Sequence, residues 1–103
     1  MNATVEYTDG RRQERPKAPL FTCRSDKAVH ALKYWLRNLA PWNEVNATGE
    51  DRLGCPIVKI GWNDGVRWEM SGVIVCDSNE RRSTALNVVA KEQRRRERES
   101  ENG

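Results

Sequence analysis

Between Ser25 and Ala40 the apolar residues fall at Ala28, Val29, Leu32, Trp35, Leu36 and Leu39. At about 100° per residue they fit an arc of roughly 120°, the stripe of a helix resting on a core. Ser25 and Asp26 are suitable N-caps, and Pro41 predicts that the helix stops after Ala40. Upstream, Thr4-Val5-Glu6-Tyr7-Thr8 alternates as a strand does and is closed by Asp9-Gly10. Leu20-Phe21-Thr22-Cys23 predicts a short second pairing segment. Downstream, two apolar runs flank Asn63-Asp64-Gly65 and predict a β-hairpin. Asp77 or Ser78 then caps a second helix whose apolar part is short: Ala85, Leu86, Val88, Val89 and Ala90. These elements predict an α+β fold, a small antiparallel sheet with two helices in the order β-α-β-β-α. Both helices are expected on one sheet face, with the other face wet or covered by a second copy of the chain in a homodimer.

Two hairpin registers compete. A two-residue Asp64-Gly65 turn sets Trp62 opposite Arg67 and Ile60 opposite Glu69. A three-residue turn with left-handed Gly65 sets Trp62 opposite Val66, Ile60 opposite Trp68 and Val58 opposite Met70. The second gathers Val58, Ile60, Trp62, Val66, Trp68 and Met70 on one face and pairs Lys59 with Glu69 on the other. Because register follows the buried pattern, it is the expected one, with a bulge at Gly65 and both tryptophans turned to the core, Trp62 partly exposed near the hairpin tip. The solvent side would then carry Ile57, Lys59, Arg67, Glu69 and Ser71, with no aromatic for stacking on bases. The run Gly72-Val73-Ile74-Val75-Cys76 predicts either a central strand covered on both faces or a bulge at Gly72.

The polar connection Pro41–Cys55 contains Trp42, which either folds back to cap the core or stands exposed as an anchor. Residues 1–90 are expected to form a single domain, with 9–19 a basic loop or arm. Residues 91–103 are expected to be a charged helical extension and disordered tail, within which Glu92 can pair with Arg95 and Arg96, and Arg95 with Glu99.

Composition narrows function by exclusion. With 103 residues the chain has room for one small core. Its 18 Lys and Arg against 15 Asp and Glu leave a net charge of +3, which permits nucleic-acid or acidic-protein contact and demands neither. No apolar run approaches the ~18 residues of a membrane span, and the polar start lacks a signal-peptide pattern, so a cytoplasmic protein without membrane attachment is expected. Cys23, Cys55, Cys76 and His30 could in formal terms hold zinc, but no two share the close spacing that builds a metal knuckle; no metal or cofactor is expected. No phosphate-cradling glycine motif occurs. The single histidine has no nucleophile at a fixed spacing, and no predicted core position holds a carboxyl that could act as a general acid. The reading is therefore not an enzyme.

What remains is charged surface. The outer side of the first helix carries Lys27, His30, Lys33, Tyr34 and Arg37. Its plainer reading is a solvated surface; its functional reading is a docking face. In size, sheet-plus-helix order and charged surface the chain resembles small accessory proteins of phages and mobile elements, such as anti-CRISPR inhibitors. The resemblance implies a non-enzymatic protein that occupies a surface on a host macromolecular complex, protein or ribonucleoprotein. The expected contact residues are Lys33, Tyr34 and Arg37 with Arg94, Arg95 and Arg96. The alternative is a nucleic-acid-binding accessory protein using the arm at Arg11, Arg12 and Arg15 and the Arg-rich last helix.

Overall fold

The computed structural model describes residues 18–102. The strand expected at Thr4–Thr8 and the residues Arg11, Arg12 and Arg15 lie outside them. The chain runs β1 (Leu20–Cys23), α1 (Asp26–Arg37), β2 (Glu44–Asn46), β3 (Ile57–Asn63), β4 (Trp68–Cys76) and α2 (Asn79–Asn102). This is an α+β fold. The sheet order is β1-β4-β3-β2. The β3–β4 and β2–β3 pairings are antiparallel. β1 adds to β4 in parallel, with Leu20 beside Val73 and Cys23 beside Cys76, so the sheet is mixed. The short pairing segment of the sequence is thus the strand that precedes α1.

Ser25 caps α1 from extended backbone, its Oγ accepting from the Ala28 N–H at 3.1 Å. The helix ends at Arg37 with Asn38 as its cap, one turn short of the stop predicted from Pro41. Its stripe is used as expected: Leu32 and Leu36 are fully buried, and Ala28, Val29, Trp35 and Leu39 pack against the core. α2 is capped by Ser78, whose Oγ accepts from the Arg81 N–H at 3.1 Å. It sends Ala85 and Val89 into the same core, with Val58, Ile60, Ile74, Cys23 and Cys76 of the sheet. Both helices therefore cover one sheet face. The two run side by side in one direction, since Arg81 reaches Asp26 at 2.8 Å and Arg37 reaches Glu92 at 3.0 Å. Among the described residues no helix is long and apolar enough to cross a membrane.

The hairpin departs from both registers read from the sequence. Asn63 pairs with Trp68, Trp62 with Glu69 and Gly61 with Met70, leaving Asp64, Gly65, Val66 and Arg67 as a four-residue loop. Two consecutive Asx side chains fix it. Asn63 Oδ1 accepts from the Gly65 N–H at 2.8 Å, and Asp64 Oδ1 from the Val66 and Arg67 N–H groups at 2.8 and 3.0 Å. These backbone donors hold the Asp64 carboxyl below its ordinary range. Gly65 is left-handed as expected, with φ +95°. Val66, expected in the core, is 91% exposed at the tip.

The bulge lies at Ser71, not Gly65. Ile60 pairs with Gly72 and Gly61 with Met70, so Ser71 is the extra residue. Its hydroxyl turns inward and donates to Pro41 O at 2.9 Å. The extra residue reverses the alternation of β4. Beyond it Ile74 and Cys76 face the helices; before it Trp68 and Met70 face the opposite side. The expected inward placement is thereby overturned for Trp68, which lies at the outer side of the sheet, 36% exposed, whereas Trp62 keeps the side of Ile60 and is partly exposed at the tip as expected, at 43%. The indole of Trp68 occupies the space above Gly61, where a Cβ would stand 2.3 Å from the ring.

The polar connection holds a strand the sequence did not announce. β2 is three residues long with one apolar side chain, Val45, which pairs with Ile60. Trp42 folds back as one of its two readings had it: it is 3% exposed and donates from Nε1 to Leu36 O at 3.3 Å.

Candidate functional site

The residues singled out on the first helix meet the charged part of α2. α2 continues without a break past Ala90, and Glu92, one position into the charged run, is buried between the helices. Its carboxylate accepts two hydrogen bonds from Arg37, Nε to Oε1 at 3.0 Å and Nη2 to Oε2 at 3.1 Å. It also accepts from Arg95 Nε at 3.2 Å. Such a planar two-pronged pairing suits guanidinium and fixes its orientation. The Arg37 hydrogen bonds dominate in holding Glu92 below the ordinary carboxylate range, against the opposing effect of burial, and Arg95 assists. The same pairing raises Arg37 further. Arg95 in turn pairs with Glu99.

Tyr34 stands beside this network, 57% exposed. Lys33 Nζ lies 5.1 Å and the Arg37 guanidinium 5.8 Å from its ring centre, within cation–π range. The structure thus brings Lys33, Tyr34, Arg37 and Arg95 into one patch. Arg96 is placed elsewhere. Half-buried, its guanidinium lies 5.0 Å over the Trp42 ring, and it makes no pair with Glu92. Arg94 is exposed on the outer side of α2, where Lys91 and Arg98 are also exposed at helical spacing.

The Glu92–Arg95 and Arg95–Glu99 pairs were readable at i+3 and i+4 spacing. The Arg37–Glu92 pair, which joins the two helices, spans 55 residues and leaves no local signal. The second missed feature is the outer sheet face. There Leu20, Met70 and Trp68 are exposed and Val73 is half-exposed, with Lys59 and Glu44 beside them. Its cue was the reading of a bulge at Gly72 before the apolar run, one residue from where the bulge lies.

Little here favours nucleophile or metal chemistry. Cys23 and Cys76 are free, adjacent across β1 and β4, and buried in the core. Burial, with Cys23 close by, pushes the Cys76 thiol up to about 11, and burial raises Cys23 as well. Both stay protonated and unreactive near neutral pH. Among the described residues no group of three or more His, Cys, Asp or Glu is arranged to hold a metal ion. No family model matches the chain, and neither a curated protein nor a solved structure matches it.

Proposed function

We propose that the chain is a non-enzymatic binding protein, an inhibitor of the phage type that occupies a surface on a host macromolecular complex such as a CRISPR effector. The observation that carries this reading is the patch around Tyr34, an exposed ring flanked by two cations and locked to α2 through Glu92. Tyr and Arg are the residues that dominate binding energy in protein interfaces. Their fixed placement lowers the ordering cost of association, and their charge fits an acidic or phosphate-lined surface on the partner. The three cysteines, all free, support a reducing compartment such as the cytoplasm.

The test titrates the full chain into a set of purified CRISPR effector complexes and reads DNA cleavage. Inhibition near stoichiometric amounts is expected for one of them, weakened at least about tenfold by Lys33→Glu with Tyr34→Ala. Unchanged cleavage across the set removes the inhibitor reading. Inhibition indifferent to these substitutions removes the site.

The second reading, direct nucleic-acid binding, is favoured by the exposed stripe of Lys91, Arg94 and Arg98 along α2. The exposure of Trp62 and Trp68 also withdraws the argument that no aromatic was available to stack on bases. It predicts a gel shift that weakens steeply with salt, by a logarithmic slope of about 0.9 per phosphate contacted on duplex DNA. No shift at low salt leaves the protein partner.

A further inference from the structure

We propose that the outer face of the sheet is a homodimer interface, on which a second copy of this chain packs sheet against sheet. Both helices lie on the inner face, and the outer face is open from Trp68 to Val73, while Ile57 and Val75 at its other end are buried. Down that face run Trp68, Met70 and Val73 of β4, with Leu20 of β1 beside Val73. Leu20 is 62% and Met70 40% exposed. Contiguous exposed apolar surface of this kind marks an interface rather than ordinary solvated surface.

Two features select a second copy as the occupant. The first is charge. Among the described residues the face bears one cation, Lys59, and one anion, Glu44, on neighbouring strands. A self-complementary two-fold interface places the same patch on both sides. A patch whose charges cancel meets its own image without net repulsion. The helix side, where Lys33, Lys91, Arg94 and Arg98 are exposed, would repel itself. The same neutrality leaves the outer face little to offer a phosphate backbone, whose binding is driven by cations.

The second feature is area. Strands of four, nine, seven and three residues, at about 4.8 Å spacing and about 3.3 Å per residue, give a tapering face whose projection is on the order of 350 Å². Even with side-chain relief this is below the ~800 Å² each partner contributes to a standard interface, which fits a weak dimer that forms at micromolar concentrations and above. The indole of Trp68 fills the gap over Gly61 and continues the apolar surface across to β3. Sheets with apolar faces stack in this way about 10 Å apart, with strands nearly aligned.

Sedimentation equilibrium on the full chain tests the proposal between concentrations on the order of 1 and 200 µM, where interfaces of this size associate. The expected mass rises from that of the 11.9 kDa monomer toward twice that value. Leu20→Glu and Met70→Glu, each adding a negative charge to both sides of the shared face, are expected to weaken dimerisation about tenfold or more. Both sites are exposed and outside the core, so the variants fold, which circular dichroism checks. Tyr34→Ala, on the helix side, leaves the dimer intact. A wild-type chain monomeric at every concentration overturns the proposal. So does a dimer indifferent to both glutamates, or a single-stranded oligonucleotide complex abolished by Trp68→Ala.

Discussion

The base and the tip of the β3–β4 hairpin are continuous in sequence and opposite in environment. At the base, Val58, Ile60, Ile74 and Cys76 are fully buried beneath the helices. At the tip, two residues on from Ile60 along the same strand, Trp62 is 43% exposed, and beyond it Val66 stands in solvent. Residue type alone does not explain the contrast, because the tip also carries large apolar side chains, Trp62, Val66, Trp68 and Met70. Position does. α1 ends at Arg37, and Trp35 of its last turn and Leu39 just beyond it stand over Gly72. Past that point α1 no longer covers the sheet, and the bulge at Ser71 sends Trp68 and Met70 to the far side. Hydrophobicity along a strand says which residues would gain from burial; the extent of the covering layer decides which ones are buried.

The sharpest way to break this comparison is to truncate neighbours on one strand. Ile60→Ala opens a cavity among Leu36, Val58 and Ile74 and is expected to cost about 3–4 kcal/mol. Trp62→Ala removes a larger side chain yet is expected to cost only about 1 kcal/mol, since much of its surface is already in water. Urea unfolding of the two variants checks this. Equal losses would mean that the tip is core after all.

The two glycines of the hairpin sharpen it further. A Cβ on Gly72 would stand 2.9 Å from the Trp35 ring, inside the core. A Cβ on Gly61 would meet the Trp68 ring at 2.3 Å and Glu69 O at 2.7 Å, on the outer side. Overpacking makes either alanine cost on the order of 1–3 kcal/mol, but they displace different indoles. Gly61→Ala is expected to expose Trp68 and shift fluorescence emission to the red. Gly72→Ala moves Trp35 within the core and leaves the emission nearly unchanged. The reverse pattern would contradict the face assignment.

The same contrast explains what the sequence made legible. α1 was readable because 3.6-residue periodicity, an N-cap and a proline all agree. The strands were readable as strands, and Gly65 as the left-handed residue of the turn. The register was not, because two adjacent Asx residues, Asn63 and Asp64, each cap the turn with their own side chain and lengthen the loop by one residue. Patterning alone chose the register that gathered the most apolar groups on one face, a rule that assumes one face is buried from end to end. At the candidate site, Lys33, Tyr34 and Arg37 share a helix and could be grouped from spacing. Separating Arg95 from Arg96 required the partner of each, Glu92 and Trp42, and neither Arg37–Glu92 nor Arg96–Trp42 follows a local rule.

The bulge itself offers a smaller test. Ser71 is 7% exposed and donates to Pro41 O, tying the inner side of the hairpin to the loop that carries Trp42. Ser71→Ala leaves that carbonyl unpaired in a partly buried place and is expected to cost about 1 kcal/mol. Ser71→Thr keeps the hydroxyl and is expected to recover most of the loss. If alanine and threonine behave alike, the hydroxyl does not anchor the bulge.

The smallest effect is expected at the helix pair, where charge rather than packing distinguishes inside from outside. Two carboxyls are held low for different reasons: Glu92 by Arg37 between the helices, and Asp64 by backbone N–H groups at the exposed tip. A carboxyl whose folded value is depressed stabilises the fold above its unfolded value. That contribution is lost as pH falls through the folded one. For Glu92 the window therefore opens near the ordinary 4.5 and extends below it. Because the Arg37 side chain is 40% exposed, solvent screens the pair, and Glu92→Gln is expected to cost only about 1 kcal/mol at pH 7. Denaturant curves for wild type and variant should converge as pH is lowered from 5 toward 3, since protonation removes from the wild type what the substitution removed from the variant. A deficit constant across that range would mean that Glu92 contributes through shape and packing, and the ion pair would no longer explain how the patch around Tyr34 is held in place.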